Sequence, residues 1–205
     1  MNARHPRPAL GRRRTTPRRR ELLVFTEGER TEDGYLVHWR RAYRDRVLVT
    51  IDDFHGTPLS LVDRAAEAKR REARDERKGR GRAHDEVWCV FDNDEHPNIA
   101  EALDKAAGNG IGVVLSNPCI ELWFVLHFAD QTAHIERGDA QRLSRQLLGC
   151  DKVLTGPALA TLSDRYDDAK QRAQRLDVKH TGDGSPPHSN PSSNTWKLVD
   201  RIRGV

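Results

Sequence analysis

Four short apolar runs, each followed by a stretch of helical spacing, constrain this chain more than any other feature. Residues 22–26 (LLVFT), 47–51 (VLVTI), 87–91 (VWCVF) and 111–115 (IGVVL) have the length and β-branched character of buried strands. After the first, Tyr35, Leu36, Trp39 and Tyr43 recur at helical spacing, which predicts a helix over about 31–45. Thr57-Pro58 is a helix start, a capping hydroxyl before a first-turn proline, and the helix it opens carries Leu59, Val62, Ala65 and Ala66. Gly79 and Gly81 end it. Pro97 starts a third helix with Ile99, Ala102, Leu103 and Ala106 inward. Ser116-Asn117-Pro118 then leads into 119–128, apolar nearly all round and so expected to be buried on most sides. Four strand–helix units in series predict an α/β fold, a mainly parallel four-stranded sheet flanked by helices. In such sheets functional groups gather beyond the C-terminal strand ends. That rule singles out Glu27, Asp92 with Asp94, and the turn at 116–121.

The signal weakens beyond Ala129. Helices are expected at 142–148 and 159–176, a mobile Gly/Pro/Ser/His loop at about 179–193, and a last short helix holding Trp196, Val199 and Ile202. The predicted organisation is a disordered Arg-rich arm (1–20), an α/β domain (21–130) and a helical C-terminal extension (131–205). No apolar run approaches the roughly 18–20 residues of a membrane span. No apolar segment follows the basic N-terminus before Glu21, so a secretory signal is not expected. Three cysteines without a CxxC pair exclude a disulfide scaffold and a zinc ribbon, and fit a cytoplasmic location.

The formal charge of +4 hides a partition. Residues 1–20 hold eight arginines, among them Arg12, Arg13, Arg14, Arg18, Arg19 and Arg20, and no acid; the rest of the chain is net acidic. A second basic stretch, 64–82, includes Arg70 and Arg71. Basic segments of this kind contact polyanions, each neutralised phosphate adding affinity that salt removes. Equally, such a tail serves as a solvated aid to solubility.

Glu27 directly follows the first strand, and Asp92 and Asp94 follow the third. Residues two apart in an extended chain point the same way, so both aspartates can face one ion. Oxygen-only, carboxylate-rich sites suit Mg²⁺ or Mn²⁺. Glu29, Glu32, Glu95 and Glu121 thicken the cluster, and clustered carboxylates repel one another unless a cation sits among them. Acids after strands also serve as turn formers and caps, so the case rests on Glu27 and Asp92/Asp94 falling at matching ends of parallel strands. His96 is read as a capping histidine of the turn and His127 as a hydrogen-bonded core histidine. The four tryptophans are read as packing residues.

VFTEGERTEDGY, VFDNDEH, LSNPCIELWFVLHF and the late NPSSNTWKLV together resemble the RloB-like proteins, relatives of the AbiLii phage-resistance proteins. The resemblance covers about residues 20–205. It implies a Toprim-type fold, the metal-binding α/β domain shared with topoisomerases, bacterial primases and OLD-family nucleases. By the same resemblance, the Toprim glutamate falls on Glu27 and the DxD pair on Asp92 and Asp94. A second acid, one helical turn on, falls on Glu32 with one residue of altered spacing, and Glu29 competes for the role. Glu121 is a further ligand or a supporting acid. The resemblance implies a divalent-metal-dependent nuclease acting on DNA or RNA, possible tRNA included, in antiphage defence. Its metal would be Mg²⁺ or Mn²⁺ and its partner an AAA/ABC-type ATPase encoded nearby, since this chain has no Walker motif; a homo-oligomer is compatible. Whether Glu27 is ligand or general base stays open. The alternative is a non-catalytic subunit of the same fold that binds nucleic acid or regulates the ATPase.

Overall fold

The computed structural model describes residues 18–93 and 96–205. Strands β1 (Arg20–Thr26), β2 (Val47–Ile51), β3 (Glu86–Asp92) and β4 (Gly112–Asn117) lie parallel. A two-residue strand, β5 (Ser192–Ser193), runs antiparallel to β4, and the order across the sheet is β2-β1-β3-β4-β5. The fifth strand extends the four-stranded sheet read from the sequence.

Side chains of a strand alternate between faces, so a central strand that is apolar throughout serves two cores. In β1, Leu22 and Val24 enter one core and Leu23 and Phe25 the other. The first core is closed by α1 (Thr31–Ala42), α4 (Ile120–Leu126), α7 (Tyr166–Gly182) and α8 (Trp196–Arg203). The second is closed by α2 (Pro58–Arg77) and α3 (Ile99–Gly108). The α4 helix is buried at every position except Glu121, as its all-round apolarity requires. Within it, Trp123 donates its indole N–H to the Tyr35 hydroxyl at 2.8 Å. His127 is fully buried just beyond and donates from Nδ1 to Trp123 O at 2.8 Å. Helix α5 (Arg137–Leu148) packs on α4, and α6 (Gly156–Asp164) leads into α7. The C-terminal extension shares its core with the sheet, since Tyr166, Ala169, Leu198 and Ile202 cluster with Leu22 and Val24.

Three expectations need correction. Arg18, Arg19 and Arg20 belong to the folded body rather than to an arm. Arg18 pairs with Asp85 at 3.1 Å, Arg19 donates to Arg44 O at 2.9 Å, and Arg20 is the first residue of β1. Arg12, Arg13 and Arg14 lie outside the described residues. The single helix expected over 159–176 is two, broken at Arg165, and the second runs on to Gly182. The segment read as a loop at 179–193 is therefore helical at its start and a buried strand at its end. His180 is buried and bonds Pro191 O at 2.9 Å, and Asn190 exchanges two hydrogen bonds with the Ile135 backbone at 3.0 and 2.9 Å. Composition misread it because its polar side chains satisfy buried backbone groups instead of solvent. Among the described residues no helix is long and apolar enough to cross a membrane.

Candidate active site

The chain leaves β1 toward β2 on one side and β3 toward β4 on the other. Where connections diverge, the C-terminal ends of the two adjacent strands open a crevice. Glu27 and Asp92 stand at those ends. Glu27 N–H donates to Val90 O at 3.0 Å, which carries the strand pairing one residue past β1. The Glu27 carboxylate reaches across and accepts the Asp92 backbone N–H at 3.2 Å. The chain then turns through Gly28 into α1. Thr26, buried, donates to Asp33 at 2.6 Å and holds the first turn of that helix against the strand end.

A cavity of about 400 Å³ opens here, lined by Glu27, Gly28, Glu29, Glu32, Asp92 and Glu121 together with His55, Arg30, Arg137, Gln141 and Lys152. Of its acids, Asp92 and Glu32 are the buried ones. Glu32 owes its place to Gly28: a Cβ at position 28 would lie 2.8 Å from the Glu32 carboxyl carbon, so a larger residue there forces the acid aside. Glu29 is exposed at the rim, so of the two competing acids Glu32 is the one set among the other carboxylates.

Burial and mutual repulsion dominate the electrostatics. Desolvation, with repulsion from Glu121 and Glu27, pushes the Glu32 carboxyl up to about 7, against a lesser opposing pull from its own backbone N–H. Asp92 is raised well above the ordinary carboxylate range, first by desolvation and then by Glu32, with Arg137 pulling the other way. The Cys119 thiol at the start of α4 is likewise raised, by burial, by the charges of Glu121 and Asp92, and by donating to the Glu121 carboxylate. It is an inert neighbour of the acids.

Several groups that line the cavity carry no local signature in the sequence. Arg137, first residue of α5, places its guanidinium 3.5 Å from Asp92 Oδ2. Lys152 comes from the loop after α5, fixed by a 3.0 Å bond from the Thr31 hydroxyl to its carbonyl. His55 sets Nδ1 3.1 Å from Thr26 O. His96, read from the sequence as a cap, instead sets Nε2 3.2 Å from Glu27 Oε1; Asn98 occupies the cap of α3.

Asp94 lies outside the described residues. Among the described residues, no group of three His, Cys, Asp or Glu side chains is disposed to hold a metal ion. The donor set nevertheless suits one. Its acids offer carboxylate oxygens, the ligands hard divalent cations prefer, and the buried ones repel one another in the way a cation would relieve. Of the basic residues expected to contact nucleic acid, the structure brings none of the described ones to this cavity. Arg18, Arg19 and Arg20 sit at the opposite end of β1, roughly 20 Å away at about 3.3 Å per strand residue. Arg70 and Arg71 are exposed in the second half of α2, whose Lys69 reaches Asn109 and Gly110 ahead of β4, again at the far end of the sheet.

The model of the RloB-like protein family matches residues 22–202. No curated protein matches the chain.

Proposed function

We propose, from the premise that this chain belongs to the RloB-like protein family, that it is a divalent-metal-dependent nuclease with its active centre between β1 and β3. The observation that carries this reading is the meeting of Glu27 and Asp92, from strands 65 residues apart in sequence, in one acid-lined cavity. We read the sheet as Toprim-type. Glu27, Asp92 and Asp94 would hold Mg²⁺ or Mn²⁺, with Glu32 and Glu121 close enough to complete the site. A cation bound there supplies Lewis-acid activation for phosphodiester hydrolysis. Arg137 and Lys152 face the same space and offer positive charge where negative charge develops on a transferring phosphoryl group. His96, hydrogen-bonded to Glu27, is placed to hold or pass a proton beside that acid.

In this reading the substrate is DNA or RNA, tRNA included, and a partner ATPase supplies the nucleotide hydrolysis that the chain has no Walker motif to perform. The setting is antiphage defence, as the family resemblance implies. The basic segments at the far end of the sheet would contact polyanion remote from the chemistry. One observation favours the alternative of a non-catalytic nucleic-acid-binding or regulatory subunit: Arg137 already neutralises part of Asp92's charge.

Cleavage of DNA and RNA by the purified chain, alone and with the ATPase, in Mg²⁺ or Mn²⁺, separates the two. The nuclease reading expects metal-dependent cleavage that Asp92→Ala abolishes while the fold is kept. Cleavage that survives Asp92→Ala in a clean preparation overturns it.

A further inference from the structure

The β2 strand is the outer strand at one end of the sheet, and no strand among the described residues covers its free side. The direction of its backbone groups follows from its register with β1. Leu22 faces Val49, and Asp52 N–H donates to Val24 O at 2.9 Å. Backbone groups alternate along a strand, so those of Leu48, Thr50 and Asp52 face β1, whereas those of Val49 and Ile51 face outward. Outer strands are ordinarily blunted by charge, proline or a bulge. VLVTI has none of these, and its Leu48 is 43% exposed.

The flanks of the strand indicate what covers it. Arg46 stands immediately before β2 and Asp52 immediately after it. A segment that begins basic and ends acidic complements itself only when antiparallel, and an antiparallel self-pairing is the closed, two-fold arrangement. We propose that β2 pairs antiparallel with β2 of a second copy of this chain, about an axis through Val49, joining two sheets into one. In that register Val49 N–H and C=O bond those of Val49 in the second copy. Ile51 N–H meets Val47 C=O, which also faces outward. Leu48 lies opposite Thr50, and Arg46 opposite Asp52, twice. Arg46 gives up a long 3.4 Å bond to Arg203 O and its place over the Tyr43 ring, 5.7 Å from the centroid, for this, and Asp52 keeps Oδ1 on Phe54 N–H at 3.0 Å. The chain departs from the strand line at the turn ending at Arg46 and at the bend of Asp53, so Asp45 and Asp53 are not carried into opposition. The proposal does not depend on the nuclease reading.

The test is the oligomeric state of the full chain, by light scattering or sedimentation over a wide concentration range, with thermal melts verifying that each variant folds. Wild type is expected to be a concentration-dependent dimer. Arg46→Asp puts like charges opposite each other at two symmetric positions and should weaken association about tenfold. Adding Asp52→Arg to Arg46→Asp exchanges the signs and should restore it. The register makes Leu48 and Thr50 a non-hydrogen-bonded pair with Cα atoms about 4.5 Å apart, within disulfide range. Leu48→Cys/Thr50→Cys should therefore give a covalent dimer on oxidation, and Leu48→Cys alone should not. A monomeric wild type overturns the proposal. So does a dimer that ignores the Arg46 charge, is not restored by the double reversal, or fails to cross-link, because each places the contact elsewhere.

Discussion

Replacing Glu32 by glutamine removes a charge that burial penalises and keeps the side chain's shape. The folded protein holds this carboxyl near 7 instead of 4.5, chiefly through desolvation. A raised folded pKa means that the group's full contribution is present below 4.5 and is lost as pH rises through 7. The shift corresponds to about 3 kcal/mol at the upper bound for the metal-free protein at pH 8. Glutamine carries no such penalty and retains acceptor capacity for the backbone N–H. Without metal at pH 8, Glu32→Gln should therefore be more stable than wild type by about 1–3 kcal/mol, a rise in Tm of several degrees for a chain of this size. The advantage should vanish near pH 4.5, where wild type is protonated as well. Under the proposed function, Mn²⁺ should reverse the order at pH 8, because a cation among the acids stabilises wild type and has one fewer charge to meet in the variant. Calorimetric melts at the two pH values, with and without Mn²⁺, read both effects. A metal-free Glu32→Gln protein that melts at or below wild type at pH 8 would refute the desolvation argument, whatever the metal does.

Gly28→Ala should leave the fold standing but displace the Glu32 carboxylate, raising the Mn²⁺ concentration needed for half-maximal thermal stabilisation about tenfold. His127, held neutral in the core with its pKa pushed down to about 3, contributes stability that is complete above 6.5 and is lost as pH falls toward 3. Urea titrations between pH 6 and pH 4 should show wild type losing up to about 1.4 kcal/mol per pH unit from this group, a slope that His127→Asn removes. Asn194→Ala should cost about 1–3 kcal/mol in chemical denaturation, because it leaves the Leu115 N–H, now bonded to the Asn194 carboxamide at 2.7 Å, buried without a partner.

The legibility of the chain tracks sequence separation. The four parallel strands could be read because each is a local apolar run. The positions of Glu27 and Asp92 could be read because they follow those runs directly. The helices α1 to α4 announce themselves by spacing and by Thr57-Pro58 and Asn117-Pro118. Arg137 and Lys152 were not legible, since their meeting with Asp92 and Thr31 depends on how α5 packs on α4 and nothing near them in sequence encodes it. The NPSSN stretch was misread for a different reason. Ser192, Ser193, Asn194 and Thr195 are all buried, yet their composition is that of a solvated loop. Their hydroxyls and amides substitute for a full edge strand: Asn194 bonds both Leu115 N–H and Val113 O, and Ser193 bonds Ser116 at 2.9 Å. Polarity reports exposure only where no strand edge needs partners.

These long-range contacts make the C-terminal half part of the candidate site and not an appendage to it. Asp92 is controlled from that half by two routes. One is direct: the Arg137 guanidinium, 41% exposed, lies beside a carboxylate only 8% exposed. The other runs through the sheet, where β5 and Asn194 hold β4 in place and Ser116 O of β4 accepts Asn93 N–H at 2.8 Å, one residue past Asp92. Glu27 and Asp92 thus come from strand ends of the first half, and Arg137, the countercharge beside Asp92, comes from the second. Because Asp92 is the buried partner and Arg137 the exposed one, the arginine is the member of the pair that another cation can replace beside Asp92. Under the proposed function, that asymmetry would let one cluster of carboxylates persist in the metal-free chain and still accept a divalent ion.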